Sequence, residues 1–373
     1  MSEYQYYEFQ TIDRPLNNQE QELVSQISSR GQVSATRAVF TYSYGDFRGN
    51  HQEVLVKYFD AMFYIANWGT KQLMLRFPQS VLNIEHFHKY CVEDYITISF
   101  INKYAILDIR IEEEEGCGWI EEKSFLSAIV GLRNDLLNED YCSLYLAWLK
   151  VITLPEVEIE ENELEPPVPA GLNKLSGSLT AFKQLFEVDE YLLKAAAKVS
   201  HEPTLIPERA LIAAIKKLTR EECNEFLIRL AQKEANLSVA LIRKLSTIVT
   251  APIAQTQSRR SIKQLFKLSK QEQAEDAIQQ KQAIEAQRLK ELETLAQREM
   301  DAWEDVERLI QTSQARAYDQ VVQLLLKLQD LATYHNQQNA FQIRLNKIYE
   351  QYSKRTALLQ RLQKVRLYKQ KVK

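Results

Sequence analysis

Apolar residues along the chain fall into blocks of two periods, and the densest blocks lie between residues 36 and 78. There Val54, Leu55, Tyr58, Phe59, Met62 and Phe63 recur at helical spacing, and Ile65 and Ala66 close the run. The spacing predicts one amphipathic helix of about sixteen residues over 51–66. Asn50, three residues before Glu53, marks its start, and Asn67 with Gly69 marks its stop. The flanking segments 38–44 and 73–77, rich in aromatic and aliphatic residues and bounded by Gly or Pro, read as strands. Such a strand–helix–strand unit makes its two strands parallel in one sheet, with the helix over one face. At 1.5 Å per residue the helix spans about 24 Å. That length keeps Asp46 and Arg48 out of any small pocket shared with Asn67, Trp68 and Thr70.

Before this unit, residues 4–9 read as an aromatic strand, and Asn18 opens a helix carrying Leu23, Val24 and Ile27. After it come a short helix over 81–90, a hairpin alternating through 96–100 and 107–111 about Asn102-Lys103, and helices over 124–137 and 141–152. This order predicts an α+β head domain over residues 1–152 with a ferredoxin-like βαβ core. In 153–177, Pro155, Pro166, Pro167 and Pro169 surround six glutamates, the composition of an acidic linker or extended strap.

The remainder reads as an all-α half. Residues 178–260 carry short helices over 178–186, 190–199, 208–218, 221–233 and 237–249, with Thr219 and Glu222 as a capping box, and predict a small bundle. Over 261–313 the pattern predicts a long exposed helix or coiled-coil arm. Between Lys270 and Arg288 its apolar residues larger than alanine are Ile278 and Ile284, and the stripe thickens at Leu292, Leu295, Trp303, Val306 and Ile310. Residues 314–373 read as a basic helical hairpin, one helix running through Tyr318, Val321, Leu325 and Leu328, the other through Phe341, Leu345 and Ile348.

Composition narrows the class. With 373 residues, 45% hydrophobic and 26% charged, the chain has material for more than one core and is not wholesale disordered. No apolar run approaches the roughly eighteen residues of a membrane span. MSEYQYYEF has no basic stretch followed by an apolar core, so the expected compartment is cytoplasmic, with no membrane partner. Cys91, Cys117, Cys142 and Cys223 lack paired spacing and read as reduced thiols. Residues 1–170 hold 13 Lys and Arg against 27 Asp and Glu, whereas 171–373 hold 34 against 23. That split is compatible with halves that dock, a basic arm that meets nucleic acid, or differently solvated faces.

Candidate chemistry is sparse. The loop 44–50 feeds a helix N-terminus, where free amides and the helix dipole favour an anion, so Arg48, Gly49 and Asn50 are the candidate anion-binding residues. Neither nucleotide fingerprint is met, and a tight turn with an Asp46–Arg48 pair is the alternative. Trp68 is either an aromatic platform or core beside the helix stop. His86, His88 and Cys91 are zinc-ligand types, but on a helix the two histidines diverge by about 200° and no fourth ligand lies nearby, so no metal is expected. His51 and His201 are isolated and support no catalytic triad. The run Glu112 to Glu115 reads as self-repelling and solvated. Residues 344–373 hold ten Lys or Arg against Glu350. Lys354, Arg355, Arg361, Lys364, Arg366 and Lys369 are the candidate polyanion-binding residues, with a basic helix end or a contact for the acidic half as alternatives. No cofactor is implied.

The opening YQYYEFQTIDRPL, the YGDFRGN loop, the ANWGT turn and the tail from WEDVERLIQ to FQIRLNKIYEQY resemble an uncharacterised bacterial family without an assigned activity. The tail is also similar to the C-terminal helices of bacterial proteins that carry a SWIM-type zinc finger. The Cys-x-Cys and Cys-x-His ligands of that finger are not in this chain, so the resemblance implies a bacterial origin and a shared helical tail but no zinc and no catalytic residue.

With no catalytic constellation in the sequence, the leading expectation is a non-enzymatic interaction or scaffold protein that binds a protein partner or itself. The alternatives are a nucleic-acid-binding accessory factor using the basic tail and an anion or nucleotide sensor at the 45–50 loop.

Overall fold

The computed structural model describes residues 3–43, 45–113, 124–160, 163–203, 207–232, 236–249, 259–312 and 314–367. The chain divides into two compact units, Met1–Gln273 and Ala274–Lys373.

In the first unit, β1 (Gln5–Gln10), β2 (Gln32–Val33), β3 (Arg37–Tyr42), β4 (Ala61–Ala66), β5 (Lys71–Pro78), β6 (Ile96–Ile101) and β7 (Tyr104–Ile111) form a seven-stranded sheet. Its order is β2-β3-β1-β4-β5-β7-β6. Every hydrogen-bonded pair is antiparallel. One face, through Phe9, Phe40, Met62, Met74 and Ile106, packs against α1 (Asn18–Ser25) and α2 (His51–Tyr58). The other, through Phe63, Leu73, Leu75, Leu107 and Ile109, shares a core with six further helices. These are α3 (Ile84–His88), α4 (Leu126–Ile129), α5 (Leu132–Leu137), α6 (Cys142–Val151), α7 (Gly177–Leu185) and α8 (Glu190–Ala197).

The predicted sixteen-residue helix is two elements. α2 stops at Tyr58, Phe59 leaves it at φ −127°, and residues 61–66 continue as β4. Ala61, Phe63 and Ile65 are buried against the helical layer, and Met62, Tyr64 and Ala66 against the side that carries α1 and α2. A strand covered on both faces shows a continuous apolar run instead of an alternation, which is why it passes for helix. The consequence reverses the expected separation of the two loops. β3 and β4 each pair antiparallel with β1, so they run parallel to each other with α2 as their crossover. The two therefore end at the same edge. Gln5 Nε2 donates to Gly45 O and to Asp46 Oδ1, both at 3.2 Å, while the amide of Tyr4 donates to Asn67 Oδ1 at 3.0 Å.

The second crossover, β5–α3–β6, flanks β7 in the same way. The expected ferredoxin-like core interleaves two split units; here they stand side by side. Each crossover is closed by a strand from outside it, β1 in the first and β7 in the second. The 67–70 turn folds β4 onto β5, and the turn at Asn102, at φ +55°, folds β6 onto β7, while β1 stands between β3 and β4 and β7 between β5 and β6.

The strap over 153–177 does not separate cores. Leu154 and Leu172 join the same cluster as Leu179, Phe182, Phe186 and Leu192. The strap is held along its length, since Tyr90 OH donates to Pro167 O at 2.8 Å and Ser200 Oγ to Pro169 O at 2.7 Å. Beyond it lie α9 (Glu208–Ile215), α10 (Arg220–Ala231) and α11 (Leu237–Val249). α11 is anchored by Arg243, whose Nη1 donates to Val81 O at 2.6 Å and whose Nε lies 3.0 Å from Glu139. The first turn of α12 (Ile262–Gln297) puts Ile262 and Leu265 into this core.

The second unit closes its own core from the last turns of α12, α13 (Glu299–Gln311), α14 (Ala315–Tyr334), α15 (Gln338–Gln351) and α16 (Thr356–Lys364), through Leu292, Val306, Ile310, Val321, Leu325, Leu345, Leu358 and Leu362. The predicted helix over 261–313 breaks at Arg298, at φ −124°. Its second half packs with the segment read as a separate hairpin.

Candidate functional site

Buried carboxylates in the first unit are gathered into ion-paired, hydrogen-bonded networks, although the buried Nε of Arg76 has no hydrogen-bond partner among the described residues. Asp60, 1% exposed at the exit of α2, accepts from the amides of Ile12 at 2.6 Å and Asp13 at 3.0 Å and pairs with Arg76 at 2.6 Å. Burial alone would raise its pKa; the two amides and the Arg76 guanidinium outweigh that and hold it below the usual carboxylate range. Arg133 forks onto Asp13 at 2.8 and 3.0 Å and donates to Arg76 O. Glu8, fully buried, accepts from Arg37 at 2.7 Å, Ser124 at 2.6 Å, the Leu126 amide at 3.0 Å and Tyr6 at 3.2 Å. Glu165 takes a bidentate contact from Arg260 at 2.7 and 2.8 Å and the hydroxyl of Tyr145. With all acceptors occupied, these groups fasten β1, β5, α4, α6 and the strap together.

A different arrangement stands where the 67–70 turn meets the start of β6 and the end of β7. Trp68, Thr70, Asp94, Tyr95, Arg110, Glu112, Glu113 and Glu156 line an open cleft of about 540 Å³. Its position follows from the turn. Gly69 sits at φ +108°, and a Cβ there would come within 2.0 Å of Glu113 O, so a glycine lets the turn lie flat on the end of β7. Trp68 is thereby left 43% exposed, its Nε1 donating to Thr70 Oγ1 at 3.0 Å. Beside the cleft, Glu113 is held by Lys150 and by Lys71 at 3.1 Å, and Lys71 also reaches Glu187 at 2.6 Å. Against the pull of its own burial, these two ammonium groups keep the Glu113 carboxyl below its ordinary range. Glu112 pairs with Arg110 at 2.5 Å.

The predicted site residues can now be placed. Arg48 is exposed on the surface. Gly49 adopts φ +122°. Asn50 Oδ1 accepts from the amides of Gln52 at 2.9 Å and Glu53 at 3.3 Å, so it occupies the donors that an anion at the start of α2 would use. In the second unit Arg355 Nη1 donates to Ile310 O at 2.7 Å and Tyr318 OH at 3.0 Å, closing α13 against α14. Arg361 pairs with Asp319 at 2.7 Å. Lys354, Lys364 and Arg366 are exposed; Lys369 lies outside the described residues. The tail cations are thus divided between structural and solvent-facing roles.

The Glu112 to Glu115 run is not uniformly solvated. Glu112 and Glu113 are ion-paired, and Glu114 and Glu115 lie outside the described residues. His86 makes an edge contact with Tyr141 at 5.5 Å, and Cys91 Sγ donates to Phe87 O. Among the described residues no group of three His, Cys, Asp or Glu side chains is placed to hold a metal ion. Nor does any helix among them have the length and apolarity to cross a membrane.

A second feature escaped the sequence reading. α10 has no buried side chain, and Leu227 at 62%, Ile228 at 58% and Leu230 at 62% face solvent; Ile212 and Ile215 of α9 and Ile242 of α11 are exposed as well. The signal was present as an apolar stripe, but a stripe reads as core until the covering element is found missing. No known protein-family model, no curated protein and no solved structure matches the chain.

Proposed function

We propose that this chain is a non-enzymatic interaction protein that holds a protein partner through the apolar surface of α9 and α10, with α12 serving as a polar spacer. The observation that carries the reading is α10 itself, a twelve-residue helix with three large aliphatic side chains more than half exposed. Covering one such side chain is worth about 1.5–3 kcal/mol, so Leu227, Ile228 and Leu230 offer a partner several kcal/mol before ordering costs. Exposed large apolar side chains grouped on one helix mark association surfaces when they form a patch. The spacer role of α12 rests on residues 277–288, whose side chains are exposed without interruption. The test is recovery of native complexes at two salt concentrations with the wild-type chain and with Leu227→Glu/Leu230→Glu, read by mass spectrometry. The reading expects a protein recovered in near-equal amount at both salts and lost in the variant; a monomer that captures no protein refutes it.

A second reading, a nucleic-acid-binding accessory factor, has its own observation in the exposed Lys354, Lys364 and Arg366. If these three neutralise three phosphates, log Kobs for duplex DNA falls with log salt at a slope of about −2.7. No binding at low salt, or binding unchanged on deleting residues 355–373, rejects that role for the tail.

A further inference from the structure

The cleft at the 67–70 turn has a chemical bias that neither the helical surface nor the basic tail explains. Of its four carboxylates, Glu112 is neutralised by Arg110, and Glu113 by Lys71 and Lys150. Asp94 and Glu156 are exposed and have no hydrogen-bonding or cationic partner among the described residues. They come from different segments of the chain. Asp94 sits at φ +67° in the turn that opens β6, a left-handed position that Asp tolerates, and Glu156 comes from the strap. The half-buried Tyr95 lines the cleft with them, and its hydroxyl pKa is pushed up by burial and then by the charges of Glu156, Asp94 and Glu112. Three of the lining carboxylates thus act on one ring.

The aromatic wall is independent of the acids. Trp68 is a large side chain that folding has left uncovered on a turn whose backbone is fixed by Gly69, and its only polar atom is satisfied by Thr70. What it offers a ligand is its π surface. A negative rim beside two exposed or half-exposed rings attracts a cation that can shed water and lie against an aromatic face, which suits an alkylguanidinium or alkylammonium better than a strongly hydrated metal ion. The cleft, at about 540 Å³, falls in the usual range for organic ligands. Glu113, also in the lining, is held by the buried Lys71 and Lys150.

We propose that this cleft is a recognition site for an organic cation, a guanidinium or ammonium head seated on Trp68 and Tyr95 and paired with Asp94 and Glu156. The head is presented either by an arginine or lysine of a peptide segment or by a free small molecule. The chemistry is the same for both sources.

The test uses the full chain labelled with 5-fluorotryptophan, its four tryptophan resonances assigned by single Trp→Phe variants. N-acetyl-arginine amide, its neutral isostere N-acetyl-citrulline amide, and an arginine-centred hexapeptide are titrated in turn. The Trp68 resonance is expected to move saturably with arginine amide and not with citrulline amide. Asp94→Asn/Glu156→Gln is expected to weaken that binding by about tenfold or more, while the Trp148 and Trp303 resonances stay in place and report an intact fold. A hexapeptide that binds more tightly than arginine amide assigns the site to a protein segment; equal affinities assign it to a free cation. A Trp68 resonance indifferent to every cation, equally responsive to citrulline amide, or shifted as strongly in the double variant would overturn the proposal.

Discussion

Replacing Asp60 by Asn tests whether the buried charge network fastens β1 to β5. The side chain is 1% exposed and accepts three hydrogen bonds of 2.6, 2.6 and 3.0 Å, from Arg76, Ile12 and Asp13. Asn keeps the volume but removes the charge and turns an NH₂ toward a donor, leaving Arg76 buried without a counter-ion. Breaking a buried pair from one side costs about 3–5 kcal/mol, and a separate penalty for the amides is not added because the terms share one group. At 1.36 kcal/mol per factor of ten, amide exchange in β1 and β4 that proceeds by unfolding of this unit should speed up by roughly two to four orders of magnitude. Hydrogen exchange read peptide by peptide measures this within the first unit alone. The pH dependence gives a second check. Because the folded-state pKa of Asp60 is depressed, its contribution is full above the unfolded value of about 3.9 and is lost as pH falls through the folded value. The gap between wild type and variant must therefore narrow in acid. An Asp60→Asn chain within about 1 kcal/mol of wild type at pH 7 would refute the network's role.

Five further substitutions follow the same reasoning. His51, with a pKa lowered by burial and by Arg110, disfavours the proton in the fold; as pH falls below about 6.5, the unfolded chain gains a proton first and stability drops, and His51→Gln should remove that slope in urea titrations between pH 7 and 5. Asn50→Ala should cost about 1 kcal/mol through the lost cap, whereas Arg48→Ala should stay within about 0.5 kcal/mol; equal losses, or a stabilising phosphate effect that both variants abolish, would restore the anion reading of that loop. Arg355→Ala should destabilise the second unit by about 1.5–3 kcal/mol through its bonds to Ile310 and Tyr318, and Lys364→Ala should leave thermal unfolding within about 0.5 kcal/mol.

Local signals carried much of the fold. Asn50 and Thr219 cap helices as their spacing implies, the second with a full box through Glu222. The hairpin about Asn102 forms where the alternation places it. What failed were inferences needing knowledge of which faces are covered. AMFYIA is buried on both sides, so period two vanished and helical spacing fitted by accident. The strap looked like a linker because its glutamates and prolines outnumber its apolar residues, yet Leu154 and Leu172 suffice to seat it in the core. The cleft was legible only through Trp68. Asp94, Tyr95 and Glu156 converge on it from β6 and the strap, and no spacing along the chain encodes that meeting. Arg355 and Arg361 likewise looked like a basic face because sequence does not show which cations are already engaged.

The central claim is that α10 is the covering surface for a protein partner, and amide exchange over Arg220–Ala231 tests it most directly. The chain is compared after gentle recovery from its native extract and after purification to homogeneity. The account predicts slower exchange in the recovered form across Phe226 to Ala231, restored to the purified rate in Leu227→Glu/Leu230→Glu. Identical exchange in both forms, with protection appearing elsewhere on a recovered complex, would contradict it.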